Sequence, residues 1–333
     1  MTSEEFEIYR LKAQQPHLVI LGAGATMAAI PDGDDNGKKS AVMKGFLKEI
    51  NKEEIIKDIP LECNSNNVED IYSELHEKPE YNHIVKGIEE AIQEYFKDMV
   101  LPESKLTIYD YLIVSLTNRD CIATFNWDPL LMQAYHRMSR ITENLPEMLF
   151  LHGNVAAGLC EECKRYAPLQ NKKCSSCGKP LKMPPLLYPV RHKDYSSNIF
   201  IKDQWNAFDN YCKRAGLLTI FGYSSPKSDL EARNRIIKAY TSKSKRLDSI
   251  EIIDLQYNNT EFQQSWNELA KSTNYHINFY KEFWNSILAE YPRRSAKGYV
   301  DRFLRGYWNS SNIQLKKDIN LETLADILDP LLN

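Results

Sequence analysis

The sequence predicts an α/β protein in which a parallel sheet is accompanied by a helical insertion, a small cysteine-rich module and a C-terminal helical extension. Three observations support this fold class. A short apolar run enters a glycine-rich turn near residue 22, later apolar runs each end in polar or small residues, and two Cys-x-x-Cys pairs follow one of those runs. Apolar strands that alternate with helical patterns are typical of parallel sheets.

The first structural unit is an apolar run at 17–21 that leads into a turn of small residues: Gly22, Ala23, Gly24, Ala25 and Thr26. This pattern predicts the strand, turn and helix start of a Rossmann-like dinucleotide-binding unit. The two glycines would let the backbone approach a pyrophosphate, and amides at the helix start would bind its charge. Met27 replaces the third glycine of the usual pattern, so the turn alone also fits an ordinary tight turn.

The residues from Pro31 to Ser40 are rich in turn formers, which predicts a mobile surface loop that contains Asp32. Such a loop is either a solvated connection or a lid over a bound nucleotide. Apolar residues then recur at helical spacing from about 42 to 117. We therefore expect a helical insertion within the sheet domain.

Polar side chains follow several predicted strands, where ligands bind in an open parallel sheet. The run 121–125 contains Thr124 and leads into Asn126 and Asp128, and the run 148–151 leads into His152. The run 217–221 leads into the small residues Gly222, Ser224 and Ser225. Taken singly, Asn126 and Asp128 could cap a helix and His152 could be a buried structural histidine. Their coincidence at neighbouring strand ends favours a shared site.

Four cysteines form two Cys-x-x-Cys pairs separated by ten residues: Cys160, Cys163, Cys174 and Cys177. Paired turns of this kind present four thiolates to one tetrahedral ion, and zinc prefers such closed sites. We expect structural zinc, because a closed site leaves no open coordination position. The predicted boundaries are 1–153 and 186–275 for the sheet domain, 154–185 for a zinc-ribbon module and 276–333 for the C-terminal extension.

Composition narrows the functional class. The net charge of −3 and the pI near 6.2 give no global basic field, so tight nucleic-acid binding without sequence preference is not indicated. The N-terminal residues lack a secretion signal, and no run approaches the roughly 20 apolar residues of a membrane helix. Seven cysteines, four of them in the metal pattern, suit a reducing compartment. These features predict a cytoplasmic protein.

In order along the chain, these segments resemble a sirtuin-type NAD-consuming domain over about residues 17–260. The turn at 22–26 with Pro31 and Asp32 resembles the sirtuin GAGxS…GIPDF segment, and 124–128 resembles TQNxD. The dipeptide at 152–153 resembles the catalytic HG, the cysteines resemble the zinc ribbon, and 222–225 resembles GTS. The resemblance implies that NAD+ binds between sheet and zinc module, that Asn126 and Asp128 line the nicotinamide-ribose site, and that His152 is the general base.

Departures from the sirtuin pattern bear on the activity. Gly33 follows Asp32 where deacylating sirtuins have Phe-Arg, and the segment 186–191 replaces the Phe-Gly-Glu stretch that pairs with the substrate peptide. Pro189 in this segment cannot donate a strand hydrogen bond, which argues against protein deacylation. We therefore expect an NAD+ hydrolase similar to bacterial antiphage-defence effectors. A deacylase or ADP-ribosyltransferase and a non-catalytic NAD or ADP-ribose sensor are the alternatives.

Regulation of such a hydrolase is expected to involve assembly. Aromatic and arginine residues are enriched at protein interfaces, and the C-terminal segment contains Tyr291, Arg293 and Arg294 followed by an aromatic run from Tyr299 to Trp308. This segment predicts either a helical cap on the sheet domain or a surface for oligomerisation. A homo-oligomer is the expected state, with a partner ATPase or a nucleic-acid-sensing protein as possible regulators.

Overall fold

The computed structural model of the protein describes residues 2–40, 43–63, 65–188, 198–224, 230–241, 249–270, 277–304, 306 and 313–332. The strands in these residues are β1 (His17–Leu21), β2 (Cys121–Thr124), β3 (Glu147–Phe150), β4 (Ala157–Cys160), β5 (Arg165–Pro168), β6 (Leu217–Phe221), β7 (Ser249–Ile253) and β8 (Asn278–Tyr280). The α-helices are α1 (Ser3–Ala13), α2 (Ala23–Ala29), α3 (Phe46–Glu49), α4 (Val68–His76), α5 (Asn82–Lys97), α6 (Ile108–Val114), α7 (Leu130–Met138), α8 (Ile199–Arg214), α9 (Leu230–Thr241), α10 (Thr260–Ser265), α11 (Asn267–Ala270), α12 (Ile287–Glu290), α13 (Ser295–Tyr299) and α14 (Leu321–Leu328).

Six strands form one parallel sheet in the order β3-β2-β1-β6-β7-β8. Counted along the chain, this is the order third, second, first, fourth, fifth, sixth, which is the strand order of the Rossmann fold. The predicted Rossmann-like parallel sheet is therefore confirmed. Strand β8 lies within the segment 276–333, so the sheet continues into the part of the chain for which only helices were expected.

Both faces of the sheet are covered. Val19 and Leu21 of β1 lie in a core cluster with residues of α4 to α7, α12 and α14, whereas Leu18 and Ile20 lie in a second cluster with residues of α8, α9 and α10. This alternation follows from the period of two along a strand. Helices thus cover the two faces, and in open α/β sheets of this kind ligands bind at the carboxyl ends of the strands.

Between residues 43 and 117, the described residues form α3 to α6 and two short 3-10 helices, Glu54–Ile56 and Pro79–Tyr81. Helix α5 buries Val85, Ile88, Ile92 and Phe96, whose spacing places them on one face. None of the helices within the described ranges is long and apolar enough to cross a membrane.

The loop at 31–40 is connected to the end of α5 by hydrogen bonds. The carboxylate of Asp34, which is only 6% exposed, accepts from the amides of Asn36 (2.9 Å), Lys38 (2.7 Å) and Val100 (2.8 Å). The hydroxyl of Tyr95 donates to the carbonyl of Lys39 at 2.8 Å. A buried carboxylate that binds three amides stabilises this conformation of the loop. The role of the loop as a lid stays a prediction.

The C-terminal segment packs on the sheet domain through two buried polar side chains. The guanidinium of Arg293, which is 4% exposed, donates to the carbonyls of Leu116 (3.2 Å) and Asn144 (3.1 Å) in the sheet domain, and to that of Leu331 (3.0 Å) in its own segment. The ring of His17 on β1 hydrogen-bonds Ser295 at 2.9 Å, and burial lowers the pKa of His17 to about 3. These contacts favour a helical cap for this part of the segment; residues 305 and 307–312 lie outside the described residues.

The turns that follow β1 and β6 lie in direct backbone contact. A Cβ added to Gly22 would lie 2.6 Å from the carbonyl oxygen of Gly222, and one added to Gly24 would lie 2.7 Å from the Cα of Gly222. Gly222 itself has φ +62°, and a Cβ there would overlap the amide nitrogen of Ala25. Backbone proximity therefore accounts for all three glycines without any ligand.

A pair of alanine substitutions tests this contact. Gly37 also has a left-handed backbone (φ +79°), but a Cβ there would meet nothing within 4 Å. Gly37→Ala should lower the free energy of unfolding by about 1 kcal/mol, because of the left-handed backbone alone. Gly222→Ala should cost more than about 3 kcal/mol, since two backbone turns must also separate. Urea unfolding measures both, and equal losses would show that the turn contact is not the constraint.

Candidate active site

The carboxyl ends of four neighbouring strands meet at one edge of the sheet. Gly22 follows β1, Asn126 follows β2, His152 follows β3 and Gly222 follows β6. These strands are adjacent in the order β3-β2-β1-β6, so the turns that follow them lie side by side. This arrangement forms a site from residues that are more than 100 positions apart in the sequence.

The side-chain amide of Asn126 is oriented by three neighbours. Its Nδ2 atom donates to the carbonyl of Gly22 at 2.9 Å and lies 3.0 Å from the Thr26 hydroxyl and 3.2 Å from the Tyr109 hydroxyl. A carbonyl oxygen only accepts, so the atom facing Gly22 must be the nitrogen. Within the described part of the chain, no hydrogen bond uses Oδ1 of Asn126. That oxygen is the atom free to accept from a ligand or a water.

Asp128 is a buried acid beside Asn126, with an exposed fraction of 3%. Its Oδ2 atom accepts from the Thr26 hydroxyl at 2.8 Å, and its Oδ1 atom accepts from the amide of Leu130 at 3.1 Å. Burial raises the pKa of Asp128 to about 6. The carboxyl therefore both binds an amide at the start of α7 and reaches the site. For Asn126, in contrast, no side-chain bond caps that helix.

Tyr109 is a member of the site that the sequence analysis missed. It is fully buried on α6, and its hydroxyl lies 2.7 Å from the Thr26 hydroxyl. Burial, together with the nearby Asp128 carboxyl, raises the pKa of Tyr109 well above its ordinary value. Tyr109 lies in the apolar segment Ile108–Val114, where a tyrosine has the pattern of a core residue. No local signal separates it from Tyr111 in the same helix.

His152 is 4% exposed and lies in the turn after β3. Its ring contacts Phe125 edge-on, with 4.7 Å between the ring centroids. The ring of Phe125 stacks on that of Tyr223, with 4.4 Å between the centroids. The fully buried Asn154, also missed from the sequence, donates to the backbone carbonyl of Asp128 at 2.6 Å. The His152 turn is thus connected directly to the Asn126–Asp128 segment.

The other predicted ligand-binding residues occupy different positions. The amide of Gly24 donates to the Gly222 carbonyl at 2.9 Å and that of Ala25 to the Gly22 carbonyl at 3.0 Å, so neither amide is open to a pyrophosphate in this conformation. The hydroxyl of Thr124 accepts from the amide of Asn126 at 3.0 Å. The role of these residues, and of Ala23, as nucleotide ligands stays a prediction.

Two predicted residues lie at the margin of the site or beyond the described chain. The carboxyl of Asp32 is 83% exposed and pairs with Lys105 at 3.2 Å. Among the described residues it has no hydrogen bond to the Asn126 cluster, by which we mean Asn126, Asp128, Thr26 and Tyr109. Ser224 is exposed after the Gly222 turn, and Ser225 lies outside the described residues. Their proposed contacts with a nucleotide also stay predictions.

The four cysteines of the predicted zinc module form one cluster. The Sγ atoms of Cys160, Cys163, Cys174 and Cys177 all lie within 4.8 Å of one another. The Cys160 and Cys177 sulfurs are 3.5 Å apart, close to the edge of about 3.8 Å that a tetrahedral zinc–thiolate site requires. Antiparallel strands β4 and β5 begin the module and supply Cys160. The predicted four-cysteine metal site is confirmed, and its donor set fits structural zinc.

Four thiolates in this cluster would need a cation between them. The amides of Ser176 and Cys177 lower the pKa of Cys174 to about 6. The neighbouring thiol groups, Cys177 first, raise the pKa of Cys163 to about 12. Four sulfur atoms at this distance cannot all be ionised without an ion between them, because like charges repel. Bound zinc removes that repulsion and keeps all four as thiolates.

Comparison with known proteins gives a likeness in solved structures alone. No family model and no curated protein matches the chain. A Sir2 homologue in complex with NAD is 13% identical over 91% of this chain and 93% of that one, with a TM-score of 0.39. A Sir2 complex with a p53 peptide and NAD+ is 14% identical over 92% and 99%, with a TM-score of 0.37. A mutant Sir2 homologue bound to 2′-O-acetyl ADP-ribose is 14% identical over 93% and 99%, with a TM-score of 0.41.

These values are too low to support a role for any residue. The structural neighbours are Sir2 proteins and homologues.

Serine substitutions test the metal centre. Cys160→Ser and Cys177→Ser should each lose the ion and lower the melting temperature by several degrees, because metal binding stabilises only the folded module. Cys63→Ser, outside the cluster, is the matched control and should retain about one zinc per chain. Metal analysis by mass spectrometry and thermal unfolding measure both effects. Equal zinc content in all three variants would contradict the assignment.

The buried carboxyl of Asp128 should make stability depend on pH. Its folded pKa of about 6 lies above the ordinary value of 3.8, so its contribution is fully present below pH 3.8 and is lost as pH rises through 6. Asp128→Asn removes this titration. The stability of the variant relative to the native protein should therefore increase by about 1.5 kcal/mol between pH 5 and pH 8.

Urea unfolding at the two pH values checks this expectation. Asp326→Asn, which removes an exposed carboxylate on α14, is the matched control. A relative stability of Asp128→Asn that does not change with pH would show that Asp128 is not a buried titrating group.

Proposed function

We propose that this chain binds NAD+ at the carboxyl edge of its sheet and hydrolyses the nicotinamide–ribose bond, giving nicotinamide and ADP-ribose. The observation that carries the proposal is the orientation of Asn126. Three groups hold its amide nitrogen toward the protein, so its carboxamide oxygen is the end left to accept a hydrogen bond. The buried acid Asp128 lies next to it.

The proposed chemistry needs a held water and a group that accepts its proton. The Oδ1 atom of Asn126 accepts a hydrogen bond from the water and directs its lone pair at the anomeric carbon. The water oxygen bonds to that carbon while the pair of the N-glycosidic bond passes to the nicotinamide nitrogen, through an oxocarbenium-like transition state. His152, as the general base, takes the proton that the water loses and also polarises a ribose hydroxyl. Asp128 fixes the nicotinamide side of the site through Thr26.

The substrate assignment rests on the sequence resemblance together with this geometry. The segments at 22–26, 124–128, 152–153 and 222–225 stand in the order of the sirtuin NAD-binding segments. They follow β1, β2, β3 and β6, whose carboxyl ends are adjacent. In a Rossmann-type sheet this is the place where a dinucleotide binds.

The biological role we propose is that of a regulated NAD-depleting effector in bacterial antiphage defence. It rests on the sequence resemblance alone. Regulation by homo-oligomerisation, by a partner ATPase or by a nucleic-acid-sensing protein belongs to the same proposal. The sequence argument against a deacylase rested on the segment 186–191. In this segment Leu187 donates its amide to the His152 carbonyl at 2.9 Å, while Pro189 lies outside the described residues.

Release of nicotinamide from NAD+ without any peptide is the direct test. The native protein should release it, alone or after addition of nucleic acid or host lysate as activators. Asn126→Ala and His152→Ala should lower the rate by at least about 100-fold while the melting temperature stays within a few degrees. Asn258→Ala and His136→Ala, which remove exposed side chains of the same types outside the cluster, are matched controls and should keep the native rate.

Two outcomes contradict the hydrolase and a third contradicts the proposed site. Release only after addition of an acylated peptide or another acceptor would identify a deacylase or transferase. Binding of NAD+ or ADP-ribose without turnover, measured by calorimetry, would identify a sensor. Native rates in both site variants would show that the reaction takes place elsewhere.

A further inference from the structure

Tyr109 is a buried phenol whose position is determined by the start of α6. Thr107 and Asp110 form a capping box there, in which the Asp110 carboxylate accepts from the Thr107 amide at 2.6 Å. This box sets the first turn of the helix. Tyr109 lies in that turn, is fully buried, and brings its hydroxyl to 2.7 Å from Thr26 and 3.2 Å from Nδ2 of Asn126.

The neighbours of each hydroxyl determine the direction of the hydrogen bonds. Nδ2 of Asn126 is a donor, because it faces the Gly22 carbonyl. The Thr26 hydroxyl has one proton, and the ionised Asp128 carboxylate can only accept, so Thr26 donates to Asp128 and accepts from its other neighbours. The phenol of Tyr109 lies between a donor and the Thr26 oxygen, so it must donate to Thr26.

We propose that Tyr109 is a positioning residue of this site. Its hydroxyl donates to Thr26, Thr26 donates to Asp128, and the same phenol oxygen accepts from Asn126 and helps to direct the carboxamide oxygen toward the ligand. We call the series Tyr109, Thr26, Asp128 the hydroxyl chain. The hydroxyl chain is a feature of the protein without substrate, whereas its effect on turnover rests on the proposed hydrolase function.

The hydroxyl chain stabilises the ionised form of Asp128. Two donors in series polarise one another and favour a negative charge at the end of the series. The groups that face the Asp128 carboxyl are the Thr26 hydroxyl of α2, the amide of Leu130 at the start of α7 and the backbone amide of Asp128 itself, with Tyr109 of α6 behind Thr26. No charged side chain in the described ranges is among the causes that set the pKa of Asp128. Loss of the phenol hydroxyl should therefore make Asp128 harder to ionise.

Tyr109→Phe tests this inference, and Tyr111→Phe is its matched control. Tyr111 is a buried tyrosine of the same helix. Its ring packs against Trp284, with 4.8 Å between the ring centroids, away from the Asn126 cluster. We expect Tyr109→Phe to raise the pH at which Asp128 ionises by about half a pH unit or more, read from carboxyl carbon NMR of the protein without substrate. Tyr111→Phe should leave that value unchanged.

In the turnover assay, Tyr109→Phe should lower kcat by at least about 10-fold with little change in KM, because positioning acts mainly in the transition state. The acid limb of its pH–rate profile should move to higher pH by the same amount as the ionisation of Asp128. A merely structural phenol would move neither the titration nor the limb. Native values of the Asp128 titration in Tyr109→Phe would overturn the inference.

A second pair of variants covers the case in which Tyr109→Phe does not fold. Thr26→Val removes the hydroxyl but keeps the shape of the side chain, and should shift the Asp128 titration upward. Thr26→Ser keeps the hydroxyl and should leave the titration at its native pH. If the native protein shows no NAD+ hydrolysis, the proposed function fails while the NMR titration still decides the hydroxyl chain. Equal titrations in Thr26→Val and Thr26→Ser would overturn the chain independently of any activity.

Discussion

The contact between two glycine turns is the constraint on which the site depends. The turn after β1 and the turn after β6 lie so close that neither Gly22 nor Gly24 leaves room for a Cβ against Gly222. Two main-chain bonds, from Gly22 to Phe221 at 3.1 Å and from Gly24 to Gly222 at 2.9 Å, keep the turns in register. Helix α2 starts in the first of these turns, so its position relative to the sheet is set there. Thr26, in the first turn of α2, is thereby brought to Asn126 and Asp128.

Asn126 then connects three elements that are separate in the sequence. Its amide nitrogen lies within hydrogen-bond distance of the Gly22 carbonyl after β1, the Thr26 hydroxyl of α2 and the Tyr109 hydroxyl of α6. Because three acceptors surround one NH2 group that has two protons, small movements can exchange the bonds but cannot reverse the amide. An asparagine held in this way offers its oxygen to a ligand in a fixed direction. Such preorganisation costs nothing at the moment of reaction, which is the condition for electrostatic stabilisation of a transition state.

Much of this architecture could be predicted from the sequence, and the missing parts have a common cause. Apolar runs that lead into Gly22, Asn126 and His152 predicted the parallel sheet and the edge where these residues meet, and the spacing of the four cysteines predicted their cluster. Those signals are local. Tyr109 and Asn154 gave no local signal, because a tyrosine in an apolar helix and an asparagine in a turn are common, and only their distant partners make them part of the site. Strand β8 has three residues, too short to produce a recognisable pattern. The loop at 31–40 has the composition of a solvated turn, and a long-range bond to its Asp34 comes from the amide of Val100, which is distant in the sequence.

The glycine turn shows why a motif alone does not identify a ligand. A Gly-x-Gly turn between strand and helix is typical of pyrophosphate binding, yet here the Gly24 amide, one of those such a motif would offer, already donates to Gly222. The same glycines would be required if the turn bound nothing at all, since the opposing backbone excludes a side chain. Binding a pyrophosphate at this amide would require the two turns to separate, so occupancy of the site and the distance between β1 and β6 turns would be linked. The reaction proposed for this edge would therefore depend less on the glycine amides than on two side chains, Asn126 and the buried acid Asp128. The glycine contact contributes by fixing the Gly22 carbonyl, which orients the Asn126 amide.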